Sequence, residues 1–205
     1  MLPTAAMVVL ASSCSATTSG TPKPEHSSNS TSATTGQPDG RYFVENPLDV
    51  TSFLGRPCDL VSPGVLAELG FLPEGGRART SESDAIAKKE GPYCGWSGSD
   101  EGNLTVAIQS GNADRGVGGL DGLFDLHSQG RFEYWSETTV DGYPAAYHNM
   151  LETDREEGNC SLGVGIQKEL SFSVSADYYT DNPEQACQVA EAIAADVVEN
   201  LKGAS

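Results

Sequence analysis

Cys160-Ser161-Leu162-Gly163-Val164-Gly165-Ile166-Gln167-Lys168-Glu169-Leu170-Ser171-Phe172-Ser173-Val174-Ser175-Ala176-Asp177 is the stretch that decides the fold. Leu162, Val164 and Ile166 alternate with Gly163, Gly165 and Gln167. After Lys168-Glu169, Leu170, Phe172, Val174 and Ala176 alternate with Ser171, Ser173, Ser175 and Asp177. A period of two sends alternate side chains to opposite faces of a strand. An antiparallel hairpin is expected, with one face against a core and one wet face of Gly and Ser.

Downstream, Asn182-Pro183 opens a segment in which Ala186, Val189, Ala190, Ile193, Val197 and Leu201 recur at three- and four-residue steps. Such a stripe makes a long helix that packs on the sheet, with Glu184, Glu191, Asp196 and Glu199 turned to water. Upstream, residues 135–140 and 143–149 flank Asp141-Gly142, a favoured two-residue hairpin turn. Residues 104–109 also alternate. Ser62-Pro63 begins and Gly70 ends a short helix, and residues 119–128 form another with Leu120, Leu123, Phe124 and His127 on one side. Strands that come as hairpins disfavour a parallel dinucleotide fold. The expected class is α+β: an antiparallel sheet of about six strands packed with a long C-terminal helix and shorter helices, with helices on one face or both. One domain is expected over residues 45–203.

The 205 residues carry 12 Lys plus Arg against 29 Asp plus Glu, a net charge of −17. Affinity for a nucleic-acid backbone comes from phosphate neutralisation by basic clusters, so this charge argues against nucleic acid as a partner. Residues 5–11 form an apolar run too short to span a bilayer, followed by Ala11-Ser12-Ser13-Cys14. The arrangement resembles a bacterial lipobox, in which the chain is cut before the cysteine and lipid is attached there. Residues 1–13 are then the export signal and Cys14 the lipidation site. Of the 26 residues from 15 to 40, 18 are Ser, Thr, Pro or Gly, and none is a large aliphatic or aromatic residue. Residues 14–44 are expected to be a disordered stalk that holds the domain off the outer face of the cell membrane.

Four further cysteines, Cys58, Cys94, Cys160 and Cys187, are an even set in an exported chain, the pattern of disulfides. No close Cys pair of the kind structural zinc sites use is present. Four cysteines allow three connectivities, and the sequential one closes the shortest loops.

The motifs of the common exported enzymes are missing. There is no His-Glu-x-x-His, Gly-x-Ser-x-Gly, Ser-x-x-Lys, Cys-x-x-Cys or Gly-Lys-Ser/Thr. Gly116-Val117-Gly118-Gly119 precedes a helix but fails the dinucleotide spacing and reads as a flexible connection. His26 lies in the stalk, while His127 on a helix face and His148 at a strand end read as structural or exposed. No metal and no cofactor is expected. Glu152-Thr153-Asp154-Arg155-Glu156-Glu157 is acidic but lacks the ordered spacing of an EF-hand loop. It reads as a solvated hairpin tip.

Two functional readings stand. In the first, a non-catalytic binding module engages an envelope protein, a glycan or a small apolar ligand, and Tyr134, Tyr143 and Tyr147 of the aromatic hairpin offer a surface. The second is a cell-wall glycan hydrolase that uses paired carboxylates, with Glu133, Glu137, Glu152 and Asp154 as candidates because they lie near that hairpin.

The order Pro57-Cys58-Asp59-Leu60-Val61, a Leu-Ala-Glu-Leu-Gly helix end, Cys94-Gly95-Trp96, a Leu-x-Val-x-Ile strand, Cys160 and Cys187-x-x-Ala-x-x-Ile resembles a family of actinobacterial lipoproteins, domain of unknown function 3558. The resemblance covers residues 45–203. It implies the bridges Cys58 to Cys94 and Cys160 to Cys187, and a lipid-anchored envelope protein. It carries over no catalytic residue.

Overall fold

The computed structural model describes residues 40–98 and 102–204. Strands β1 (Arg77–Arg79), β2 (Tyr93–Ser97), β3 (Asn103–Ile108), β4 (Tyr134–Val140), β5 (Tyr143–Asn149), β6 (Cys160–Gly165) and β7 (Ser171–Asp177) form one sheet, ordered β1-β2-β3-β7-β6-β5-β4. Every neighbouring pair is antiparallel. The helices are α1 (Pro63–Glu68), α2 (Ala85–Glu90), α3 (Ser110–Asp114), α4 (Gly119–Ser128) and α5 (Pro183–Ala204). The sheet thus has seven strands where about six are expected. The short edge strand β1, Arg-Ala-Arg with all three residues exposed, has no apolar alternation to announce it.

The deciding hairpin, β6 and β7, lies inside the sheet, with Leu162 opposite Val174 and Val164 opposite Phe172. These four are fully buried, as are Ile193, Val197 and Leu201 on the facing stripe of α5. The polar side of α5 is not left wholly to water. Asp196 Oδ2 accepts from the Ser62 backbone N–H at 2.6 Å, and the Asn200 amide donates to the Leu60 carbonyl at 3.0 Å. Those bonds dock the segment leading into α1.

The second face is only partly wet. α4 covers it over β5 and β6, where Leu120 and Leu123 form a small cluster with Ala146, flanked by Tyr42, Phe132 and Trp135. Gly163 and Gly165 make this approach close, since a Cβ on Gly163 would lie 2.7 Å from Leu123 Cδ1 and one on Gly165 would lie 3.2 Å from Leu120 Cβ. A glycine on the outward side of a strand therefore marks a docked helix here rather than solvent. Helices lie on both faces, and Ser173 and Ser175 of β7 stay partly exposed.

The Asp141-Gly142 turn forms with φ of 47° and 87°, the left-handed pair that a tight hairpin needs. Both disulfides take the sequential pairing, with Cα separations of 5.0 Å for Cys58–Cys94 and 5.2 Å for Cys160–Cys187. Packing begins before residue 45. Arg41 lies 4.1 Å over the Phe124 ring of α4 and pairs with Glu137 of β4 at 2.7 Å, and the Tyr42 hydroxyl donates to the same carboxylate. Burial and that carboxylate push the Tyr42 hydroxyl up to about 12.

Candidate functional site

One end of the second face holds a cavity of about 290 Å3 lined by Phe132, His148, Asn149, Met150, Asp154, Asn159, Ser161, Ser175 and Asp177. Sheet register builds much of it: Trp135 is paired with His148, Ser161 with Ser175, and Asn103 with Asp177. Adjacent strands thus bring a histidine, two hydroxyls and a carboxylate to one place. The loop between β5 and β6 adds Asp154 and Asn159.

His148 is buried beneath aromatic rings, with Phe132 at 4.7 Å and Trp135 at 6.3 Å between centroids. Burial lowers its pKa from 6.5 to about 4, so it is neutral near pH 7. Its Nε2 is buried without a hydrogen-bond partner. Asn149 is buried as well, and its amide donates to the Asn159 carbonyl at 3.2 Å. That bond fixes which end of the amide is free, and Oδ1 has no partner. Two orphaned polar atoms on consecutive residues are unusual, because an unmet buried group costs about 1–3 kcal/mol.

The opposite wall is acidic. Burial, with the charge of Asp154 in addition, raises the pKa of Asp177. Asp154 accepts the Leu151 N–H through Oδ2 at 3.0 Å, which caps the short 3-10 turn Glu152–Arg155. Asn159 accepts the Tyr178 N–H at 3.0 Å, and Tyr178 takes a left-handed φ of 70°. Gly158, with φ of 81°, lets this loop close: a Cβ there would stand 2.4 Å from the Tyr179 carbonyl.

The tyrosines named from the sequence are divided. Tyr134 and Tyr147 come together around Arg155, whose guanidinium lies 5.0 Å and 5.2 Å from their ring centroids. Arg155 also donates to the Tyr134 hydroxyl, and Tyr147 donates to Glu191 of α5. Burial and that carboxylate raise the Tyr147 pKa. Tyr134 and Arg155 border a wider groove of about 600 Å3 that includes Glu152 and Cys187, whereas Tyr147 lines a separate hollow with Glu191 and Ala195. Tyr143 is buried on the core side and donates to the Asn46 carbonyl at 2.9 Å.

The four named carboxylates do not converge. Glu137 is held by Arg41 and Tyr42, Glu133 is exposed, Glu152 lines the groove, and Asp154 lines the cavity. Asp154 meets Asp177 instead, a residue the sequence reading passed over as the last member of a serine row. The Gly116–Gly119 run is divided: Gly116 and Val117 are exposed, while Gly118 and Gly119 are buried and closely packed. A Cβ on Gly118 would lie 1.8 Å from the Glu169 carbonyl oxygen and one on Gly119 2.2 Å from that of Lys168. Among the described residues no group of three or more His, Cys, Asp and Glu is placed to hold a metal ion. Cys14, His26 and the export signal lie outside the described residues.

An antiparallel α+β domain with two sequential disulfides and a polar cavity at one end of its sheet defines the class. The model of the family described as protein of unknown function (DUF3558) matches residues 9–200, and the chain belongs to that family. No curated protein and no solved structure matches the chain.

Proposed function

We propose that the chain is a lipid-anchored protein of the cell envelope whose domain is a non-catalytic binding module, with the cavity beside His148 as its ligand site. The observation that carries the binding reading is the pair of buried, unpartnered atoms, His148 Nε2 and Asn149 Oδ1, on residues that line a single cavity. A pocket with a few convergent polar groups is what a small-molecule site requires. The test is a nuclear magnetic resonance titration of the labelled protein with a panel of small amines, polyols and carboxylates. Shifts gathered at residues 148, 149, 159, 161, 175 and 177 are expected. Shifts spread over the surface, or none, would refute the site.

The anchor rests on the short apolar run, on Cys14 behind Ala11-Ser12-Ser13 and on the Ser/Thr/Pro-rich segment after it. No helix among the described residues is long and apolar enough to cross a membrane. Cys14→Ala is expected to move the protein from the membrane fraction to the medium, and equal membrane retention would exclude lipidation at Cys14.

A hydrolase reading draws on Asp154 and Asp177, which share the cavity. Glycoside hydrolysis needs two carboxyl groups flanking a bond with sugar on either side. Loss of glycan cleavage in Asp177→Asn, after cleavage has been seen with the unaltered chain, would select this reading over the first.

A further inference from the structure

We infer that the cavity beside His148 receives a primary ammonium group carried on a short aliphatic stem. The inference rests on the binding-module reading and names the ligand chemistry of that same site.

Several polar atoms of the lining residues are acceptors without a donor. Asn149 has committed one N–H to the Asn159 carbonyl, and its buried carbonyl oxygen is an acceptor with no donor. His148 Nε2 is an acceptor in the neutral tautomer that carries its proton on Nδ1. The Asp177 carboxylate has no hydrogen-bond partner among the described residues, and only one oxygen of Asp154 is engaged, by the Leu151 N–H. Ser161 and Ser175 share one hydrogen bond at 3.0 Å and both retain acceptor capacity. A partner that answers these acceptors must bring donors.

The missing partner must also bring positive charge. No Lys or Arg lines the cavity, while two carboxylates do. A neutral polyol would supply donors and leave the repulsion between Asp154 and Asp177 in place, whereas an ammonium ion answers both needs with three donors and one charge. A divalent metal ion is a poorer fit, since no cluster of three or more suitable side chains occurs among the described residues. Phe132 and Met150 complete the lining with apolar surface for a stem, and about 290 Å3 is the small end of ligand-site volumes.

The test is calorimetry and resonance titration of the full chain with 1-aminopentane, against 1-pentanol and glycerol as neutral probes. Saturable binding of the amine, shifts at residues 148, 149 and 177, and no binding of the alcohols are expected. Asp177→Asn should weaken the amine at least tenfold while the unfolding midpoint shows that the variant is folded. Nα-acetyl-lysine methylamide, run beside 1-aminopentane, separates a lysine-type side chain from a free amine as the source, and binding of either carries the proposal. Alcohols that bind at the cavity as well as the amine, or an Asp177→Asn variant of unchanged affinity, would overturn the ammonium assignment and leave the binding module standing. Absence of any shift at the cavity with every probe would remove both.

Discussion

Gly163 lies between Leu123 and the imidazole of His148: a Cβ added to Gly163 would stand 3.3 Å from His148 Nε2 and 2.7 Å from Leu123 Cδ1. One missing methyl group thus lets α4 dock and lets the histidine settle at the cavity wall. Gly163→Ala should overpack this point and cost about 1–3 kcal/mol, measured by urea unfolding. The Leu123 methyl can turn aside, whereas His148 is wedged against Phe132. The substitution should therefore also shift the His148 ring resonances, and unchanged ring resonances would show that the contact is slack.

The two disulfides close loops of similar size, with sequence separations of 36 and 27. The chain-entropy argument makes each worth about 3–4 kcal/mol, so the paired substitutions Cys58→Ala/Cys94→Ala and Cys160→Ala/Cys187→Ala should destabilise by nearly equal amounts. Their local effects should differ. The first bridge ties the 3-10 turn Pro57–Leu60 to β2, and the second ties β6 to the first turns of α5. Hydrogen exchange should therefore rise near residues 57–60 in one variant and near 183–190 in the other. A common pattern in both would mean that the bridges act only through the unfolded chain.

How much of this was readable follows from which forces are local. Alternation in β6 and β7 and the stripe of α5 were legible because burial on one face writes a period into the sequence. The turn at Asp141-Gly142 was legible because left-handed backbone selects its residues. β1 was not, since three exposed residues at an edge gain nothing from alternation. The cover over Gly163 and Gly165 was misread because a missing side chain looks the same whether solvent or a helix stands above it. The cavity was the least legible part. His148, Asn159 and Asp177 are brought together by the pairing of β5, β6 and β7 and by the loop that Gly158 closes, and nothing at any one position announces the others.

Residues 41 and 42 precede the boundary expected at 45, yet they join α4 to β4 through Phe124 and Glu137. A chain begun at Gln37 should be more stable than one begun at Glu45 by about 1 kcal/mol, from the Tyr42–Phe124 edge contact and the burial of Tyr42. Most of that difference should come from Tyr42, because the Arg41–Glu137 pair is half exposed on both sides. Tyr42→Ala in the longer chain should therefore reproduce most of the loss, and Arg41→Ala little. Equal urea midpoints for the two chain starts would show that the segment only rests on the surface.

His148 sets a pH dependence of defined sign. Its pKa is lowered from 6.5 to about 4 by burial, so between those values the unfolded chain binds a proton that the folded chain refuses. Stability from this group is complete above about pH 6.5 and is lost as pH falls toward 4, by about 3 kcal/mol in total. Asp177 acts in the opposite direction. Its raised pKa means that the folded state takes up its proton more readily, so acid relieves a cost there. Asp49, Asp84 and Glu137, whose pKa values are lowered by their hydrogen bonds, add losses only as pH falls through the carboxylate range. Urea midpoints taken from pH 7 to pH 4 on the unaltered chain and on His148→Gln separate these contributions. The absolute stability of the variant is immaterial, because the difference in slope isolates the histidine. The stability of the unaltered chain minus that of the variant should be flat above pH 6.5 and fall steadily below it. Parallel curves through the whole window would mean that His148 is open to solvent and titrates normally in the folded protein.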